Sequence, residues 1–456
     1  MAMIRFPDSF YFGAAASGPQ TEGAAGRKGR HIMDVWFQKE PQAFHGGIGP
    51  SVTSDFFHHY KEDIALMRSL NLDSYRTSIV WSRLIPGGEG RPDPDAVSFY
   101  NDVFDEMNRA GVRPFVNLFH FDMPAELQER GGWENRAVVD AYVRYAEACF
   151  RLFGDRVGHW FTFNEPLSPA KDGYLEGAHW PRIRDLKRAV AVGYGVMAAH
   201  AGAVEAFRKS GTAGSIGVIL NQSPVYPRSD SPEDAKAGRI ADLLFNGAFL
   251  APAIHGGYPE ELSRFLKDED LLPAVRDGDL ELFSRGRIDL LGVNYYQPTR
   301  VMAPADPRAA GIRRYFDPYD MPGRKINPYR GWEIYEKGVY DLLTDLRVNH
   351  GNPRCFVSEN GMGVENEQRF AVDGVIRDDY RIGFIRDHLR WIHKALEEGS
   401  ACEGYHLWAF MDCWSWHNAY KNRYGLVSVD IATQRRTVKK SGGWMREVSR
   451  TKEIEG

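Results

Sequence analysis

Short runs of apolar and β-branched residues recur along the chain, each followed by a polar loop and then a longer segment with apolar positions at helical spacing. The strand candidates are Tyr11–Ala15, Ser74–Ile79, Arg113–Leu118, His159–Phe163, Ser215–Leu220, Asp289–Val293, Cys355–Val357 and Gly404–Ala409. Between them lie amphipathic stretches such as Tyr60 to Leu70, where Ile64, Met67 and Leu70 share one helix face, and the segments Val139 to Phe153 and Ile382 to Leu396. Strands alternating with helices predict a parallel sheet with crossover helices. The 456 residues contain no low-complexity linker, and the 46 glycines and 25 prolines are scattered. One (β/α)8 barrel with long loops, a single domain over residues 1–456, therefore fits better than two doubly wound domains. Such barrels carry their chemistry on the loops that follow the strands, so polar motifs are expected at the strand ends.

Composition narrows the function. With 57 basic and 61 acidic side chains the net charge is −4, which offers no footprint for nucleic acid. The four cysteines, Cys149, Cys355, Cys402 and Cys413, are too sparse for a disulfide framework and lack metal-ligand spacing. No cationic segment followed by an apolar one opens the chain, and the longest apolar stretch, Ala189 to Ala199, is short for a bilayer. A cytoplasmic enzyme without a membrane anchor, metal or cofactor is expected; nothing in the sequence sets an oligomeric state.

Two motifs stand at strand ends. Thr162-Phe163-Asn164-Glu165-Pro166 follows the fourth strand, and Val357-Ser358-Glu359-Asn360-Gly361 follows the seventh. Taken singly, a strand-end glutamate caps a helix or meets a surface arginine. Two facing one barrel mouth are the equipment of glycoside hydrolysis, where one carboxyl protonates the leaving oxygen and the other attacks the anomeric carbon or activates water.

These motifs resemble the two signatures of glycoside hydrolase family 1, the retaining β-glycosidases. The resemblance extends to Phe12-Gly13-Ala14 through Gln20-Thr21-Glu22-Gly23-Ala24, Tyr75-Arg76-Thr77-Ser78 with Trp81-Ser82-Arg83, and His120-Phe121-Asp122-Met123-Pro124. It continues through Gly292-Val293-Asn294-Tyr295-Tyr296, Trp332-Glu333-Ile334-Tyr335 and a tryptophan-rich block from Trp408 to Asp430. It implies that Glu165 is the acid/base, with a pKa raised by burial and by the second carboxylate, and that Glu359 is the nucleophile, held by Arg76 and Tyr296. It further implies that Asn164 binds the sugar 2-hydroxyl, that Gln20, His120 and Asn294 line the glycone site, and that Trp408 and Trp332 face the glycone and aglycone. A lone histidine such as His120 is commonly structural, and no second histidine or cysteine at ligand spacing suggests a metal.

The block Trp414-Ser415-Trp416-His417-Asn418-Ala419-Tyr420-Lys421-Asn422-Arg423-Tyr424 departs from the common pattern. Family β-glucosidases place a glutamate at the position of Ser415 to grip the sugar 4- and 6-hydroxyls. Replacing an anion by a small donor suits a phosphorylated O6. The block is similar to the 6-phospho-β-glycosidase branch, in which a serine, a lysine and a tyrosine hold the phosphate. Ser415 and Tyr424 match in spacing; the lysine position holds Asn422, and Lys421 lies one residue earlier. Phe121, where most members have tryptophan, leans the same way, and Trp416, beside the 4-hydroxyl, leaves gluco and galacto substrates both open.

The expected activity is retaining hydrolysis of 6-phospho-β-glycosides, either phosphorylated disaccharides or aryl glycoside 6-phosphates. The carboxyl groups should then lie roughly 5–5.5 Å apart. The alternatives are a β-glucosidase or β-galactosidase acting on unphosphorylated sugars and, more remotely, a non-catalytic sugar-binding barrel. The aglycone end falls to long loops such as Pro304 to Arg324, which match no motif.

Overall fold

The computed structural model describes residues 3–456. Eight parallel strands close into a barrel: β1 (Tyr11–Ala15), β2 (Ser74–Ser78), β3 (Arg113–Asn117), β4 (His159–Asn164), β5 (Ser215–Asn221), β6 (Leu290–Asn294), β7 (Cys355–Asn360) and β8 (Cys402–Trp408). Closure comes from β8 pairing with β1, with Gly404 opposite Tyr11 and Trp408 opposite Ala15. All eight strand expectations fall on barrel strands, with ends shifted by up to three residues. The largest shift matters for function: β7 runs on to Asn360, so Glu359 lies within the strand and not after it.

Side-chain alternation sorts each strand into two faces. Tyr11, Phe115, Phe161, Ile219, Leu290 and Phe356 point inward and pack into one cluster. Three of its ring pairs meet edge-on or tilted, Tyr11 to Phe115 at 5.4 Å, Phe115 to Phe356 at 5.3 Å and Phe161 to Phe356 at 5.5 Å, and Phe115 stacks on Phe161 at 6.0 Å. Burying each such ring contributes about 2–3 kcal/mol. The cluster closes the lumen from below, leaving polar inward residues one layer higher, at the carboxyl ends of the strands. On β2 the step from Ser74, which meets His406 at 2.7 Å, to Arg76 crosses from this floor to that polar layer. Between them Tyr75 faces outward against Phe56 and Phe410.

The expected helices are longer than their apolar patterns at the N-terminal side. Val139 to Phe153 belongs to a helix Arg136–Phe153, begun by Asn135, whose side chain accepts the Ala137 N–H. The stretch Ala189 to Ala199 lies within a 25-residue helix, Leu186–Ser210, apolar and long enough to cross a membrane by composition, but 78% of its most apolar window is buried inside the protein. It packs on Arg136–Phe153 and the segment before it so closely that a Cβ on Gly195 would stand 2.0 Å from the Trp133 carbonyl oxygen. The apolar surface of this helix is the outer core of the barrel. At the mouth, Val225–Pro227, Thr299–Met302 and Asp317–Pro318 form a small three-stranded sheet.

Candidate active site

Both glutamate-bearing strands carry an irregularity just before their functional residue. On β7, Val357 pairs with Val293 and Glu359 with Asn294, so two residues of β7 span one of β6. Simple alternation from the inward Phe356 would turn Glu359 outward; the bulge returns it to the lumen. On β4, Phe161 pairs with Gly217 and Asn164 with Ile219. Thr162 and Phe163 consequently both face the outer layer, Thr162 on His200 and Phe163 on Trp133, and Asn164 faces in. Glu165 follows at φ 50°, its N–H donating to the Ile219 carbonyl at 2.8 Å. The end of β7 also presses against β8: a Cβ on Gly361 would stand 1.9 Å from the Trp408 carbonyl, so the glycine of the second motif is a packing requirement.

The two carboxylates are held differently. Glu359, 3% exposed, receives Arg76 Nη2 on one oxygen and the Tyr296 hydroxyl on the other at 2.6 Å. An opposite charge and a phenolic donor both stabilise an ionised carboxylate. Burial lowers the Arg76 guanidinium to about 10, still cationic at neutral pH, and holds the Tyr296 phenol well above its ordinary range, so it stays a donor. Arg76 also donates to the Ala16 carbonyl at 2.8 Å and lies 5.5 Å from the Trp408 ring.

Glu165 accepts from Asn294 Nδ2 at 2.9 Å and from Ser168 Oγ at 3.0 Å. Burial raises its carboxyl pKa, and the charge of Asp172 raises it further; the two hydrogen bonds and Arg76 pull the other way. Asp172 escaped the sequence reading because it lies seven residues beyond Glu165 and outside the motif, in a π-helical turn Lys171–Leu175. Asn294, which donates to Glu165, is also the ladder partner of Glu359, so the two glutamates stand at the same end of the barrel.

The structure brings most of the remaining predicted residues together around the two glutamates. Asn164 Oδ1 accepts from Asn294 at 3.1 Å, and its Nδ2 stands 3.3 Å from His120 Nε2. His120 Nδ1 is 3.4 Å from Arg76, and the ring lies nearly parallel to Trp408 at 6.0 Å. Burial and the Arg76 charge keep His120 neutral. Asp122 orients it by accepting the His120 and Trp81 backbone N–H groups. Gln20 is buried, bonded to Ser17 and the Trp414 carbonyl. Trp332 meets Tyr296 at 5.3 Å, and Trp416 rests on Phe121 at 5.3 Å and His120 at 6.1 Å.

Ser415 is 8% exposed, and Tyr424 packs with Trp408, Ala409, Cys413 and Tyr296. Lys421 is elsewhere. Its ammonium stands 4.0 Å from Glu365, and it lines a cavity of about 290 Å³ with Glu367, Asp412 and Arg423 that includes neither Ser415 nor Tyr424. Lys421, one residue off the lysine position of the phospho branch, stands on the Glu365 side, where residues Asn422–Arg423 pair as a strand with Val364–Glu365. The loop Pro304 to Arg324 does reach the mouth, where Arg313, Phe316, Tyr319 and Arg324 line a cavity of about 360 Å³ together with Leu167, Asn221 and Glu333.

Comparison with known proteins agrees with this geometry. Residues 2–454 match the family model described as glycosyl hydrolase family 1. The chain is 56% identical over 453 residues to the 6-phospho-beta-glucosidase GmuD of Bacillus subtilis, covering 98% of this chain and 97% of that one. It is 36% identical to a 6-phospho-beta-galactosidase of Clostridium acetobutylicum, over 99% and 98% of the two chains. Among solved structures, a family 1 β-glucosidase from Thermotoga maritima superposes with a TM-score of 0.91 at 34% identity, covering 99% of both chains. The barrel, the two glutamate motifs and these relatives agree over nearly the whole length, and the chain belongs to glycosyl hydrolase family 1.

Proposed function

We propose that this protein is a 6-phospho-β-glycosidase that hydrolyses its substrate with retention of anomeric configuration. The observation that carries the hydrolytic assignment is the unlike holding of two carboxyls at one end of the barrel: Glu359 between a guanidinium and a phenol, Glu165 desolvated and under the charge of Asp172. Unlike environments separate a nucleophile from a proton donor. Phosphate specificity is supported by the small hydroxyl of Ser415 and by the likeness to the Bacillus subtilis 6-phospho-beta-glucosidase.

In the first displacement a Glu359 oxygen bonds to the anomeric carbon as the bond from that carbon to the glycosidic oxygen breaks, and Glu165 transfers its proton to the departing oxygen. In the second, the Glu165 carboxylate takes a proton from water, the water oxygen bonds to the anomeric carbon, and Glu359 leaves with its electron pair. Asn164 binds the 2-hydroxyl, a contact that strengthens at the transition state. Gln20, His120 and Asn294 hold the other glycone hydroxyls, Trp408 covers the apolar ring face, Trp416 meets O4, and Ser415 and Tyr424 donate to the phosphate. Trp332 flanks the aglycone. The arginines and carboxylate of the adjoining cavity suit a hydroxyl-rich aglycone, so a phosphorylated disaccharide is favoured over an aryl glycoside. A cytoplasmic setting is supported by four buried free thiols.

The test is kcat/KM for p-nitrophenyl β-glucoside and β-galactoside beside their 6-phosphates. A preference of about 10²-fold or more for the phosphates is expected. Equal or reversed rates would return the protein to the unphosphorylated β-glycosidases.

A further inference from the structure

On the proposed function, Ser415 and Tyr424 offer a dianionic phosphate two hydroxyls, and the Lys421 ammonium stands toward Glu365. One cation whose charge acts on Tyr424 has no carboxylate partner among the described residues. Arg330 lies on the loop between β6 and β7, its guanidinium 4.2 Å over the Trp332 ring. Its Nε is buried and without a hydrogen-bond partner. Neighbouring cations on the same loop are satisfied, Arg324 by Asp320 at 2.5 Å and Lys325 by Glu336 at 2.6 Å, but no carboxylate among the described residues pairs with Arg330.

The loop is tied to the eighth-strand block by two side chains. Asn422 Nδ2 donates to the Tyr329 carbonyl at 3.2 Å, and Asn327 Nδ2 donates to the Gly363 carbonyl at 2.9 Å. Gly363 lies directly against the Tyr424 ring, where an added Cβ would stand 2.4 Å from it. Asn422 occupies the position at which the phospho branch carries its lysine. Here that residue is 1% exposed and anchors the backbone immediately before Arg330. The positive charge reaches the block: burial pushes the Tyr424 phenol up to about 12, with Arg330 opposing the shift, and burial, His179 and then Arg330 bring His417 down to about 4.

We propose that Arg330 is the phosphate-binding cation of this enzyme, supplied by the β6–β7 loop and positioned by Asn422, and that Lys421 takes no part. A guanidinium held by stacking on an aromatic ring, with free N–H groups, is suited to a phosphate oxygen pair. The proposal rests on the 6-phosphate assignment, and its test separates the two.

Arg330→Gln, Arg330→Lys and Lys421→Gln are compared with the parent on p-nitrophenyl β-glucoside 6-phosphate and p-nitrophenyl β-glucoside, with inhibition constants for glucose 6-phosphate and glucose. Arg330→Gln should lower kcat/KM for the phosphate about 10²-fold and weaken glucose 6-phosphate inhibition in parallel, with less than about 3-fold change on the unphosphorylated pair. Arg330→Lys should recover part of the loss, and Lys421→Gln should change each value less than about 3-fold. Equal losses of Arg330→Gln on both substrates would assign Arg330 to supporting Trp332 and overturn the proposal, as would a phosphate-selective loss in Lys421→Gln. A parent without phosphate preference would sink the underlying assignment instead.

Discussion

Asn294 donates a hydrogen bond to Glu165 at 2.9 Å while sitting directly opposite Glu359 in the β6–β7 ladder. One amide thus links the two carboxyls: its backbone fixes the register of one and its side chain stabilises the charged form of the other. Asn294→Ala removes a contact that lowers the Glu165 pKa, so that pKa should rise. Because the acid works protonated, the alkaline limb of kcat/KM should move to higher pH, with a maximum reduced about 10–100-fold. A pH–rate profile checks this; an alkaline limb moved to lower pH would contradict the assignment of Glu165 as the acid.

Glu165→Gln should separate substrates by leaving group. Loss of general-acid help costs about 10²–10⁴-fold where the departing oxygen needs a proton. Disaccharide 6-phosphates should fall by that amount, and dinitrophenyl glycoside 6-phosphates, whose phenolate leaves unaided, far less in the first displacement. Pre-steady-state bursts on the aryl substrate read this directly, and uniform loss in that step across leaving groups would be the adverse result.

Ser415→Glu restores the carboxylate that β-glucosidases of the family place there. It should lower kcat/KM for 6-phosphates by about 10²-fold or more through repulsion and raise that for unphosphorylated glucosides. Rates on the paired substrates decide it; a variant that still prefers the phosphate would remove Ser415 from the phosphate site.

Acid stability should be limited by buried imidazoles. Burial lowers His31 from 6.5 to about 3 and His159, His200 and His388 to about 4. The unfolded chain takes up these protons near pH 6.5 and the folded chain only near pH 3–4, so their contribution is complete above 6.5 and is lost as pH falls toward 4. Thermal midpoints should drop steadily through that window, and a flat profile between pH 6.5 and 4.5 would count against neutral buried histidines.

The barrel was legible because each strand is a short apolar run and each crossover helix keeps a 3.6-residue apolar face. Strand ends were less so. Period-two alternation from Phe356 mispredicts the face of Glu359, since a bulge leaves no mark in apolar pattern. Arg76, Tyr296, Asn164 and His120 were accessible through their motifs. Asp172 was not, because a π-helical turn beyond the motif sets its place, and Arg330 was not, because packing between distant segments sets its place. Trp332, two residues from Arg330 and inside a motif, was the nearest available signal. Lys421 shows another limit: one residue off the lysine position of the phospho branch, its direction was not legible in the sequence, and the pairing of Asn422–Arg423 with Val364–Glu365 sets it beside Glu365.

The central claim is that Glu359 becomes covalently glycosylated by a 6-phosphorylated sugar. Incubation with a 2-deoxy-2-fluoro-β-glucosyl 6-phosphate bearing a dinitrophenyl leaving group, followed by intact-mass and peptide mass spectrometry, addresses it in one measurement. The expected result is one fluoroglucosyl 6-phosphate per chain, located on the peptide containing Glu359 and absent from Glu359→Gln. An adduct on another residue, or a label taken up only from the unphosphorylated analogue, would contradict the account.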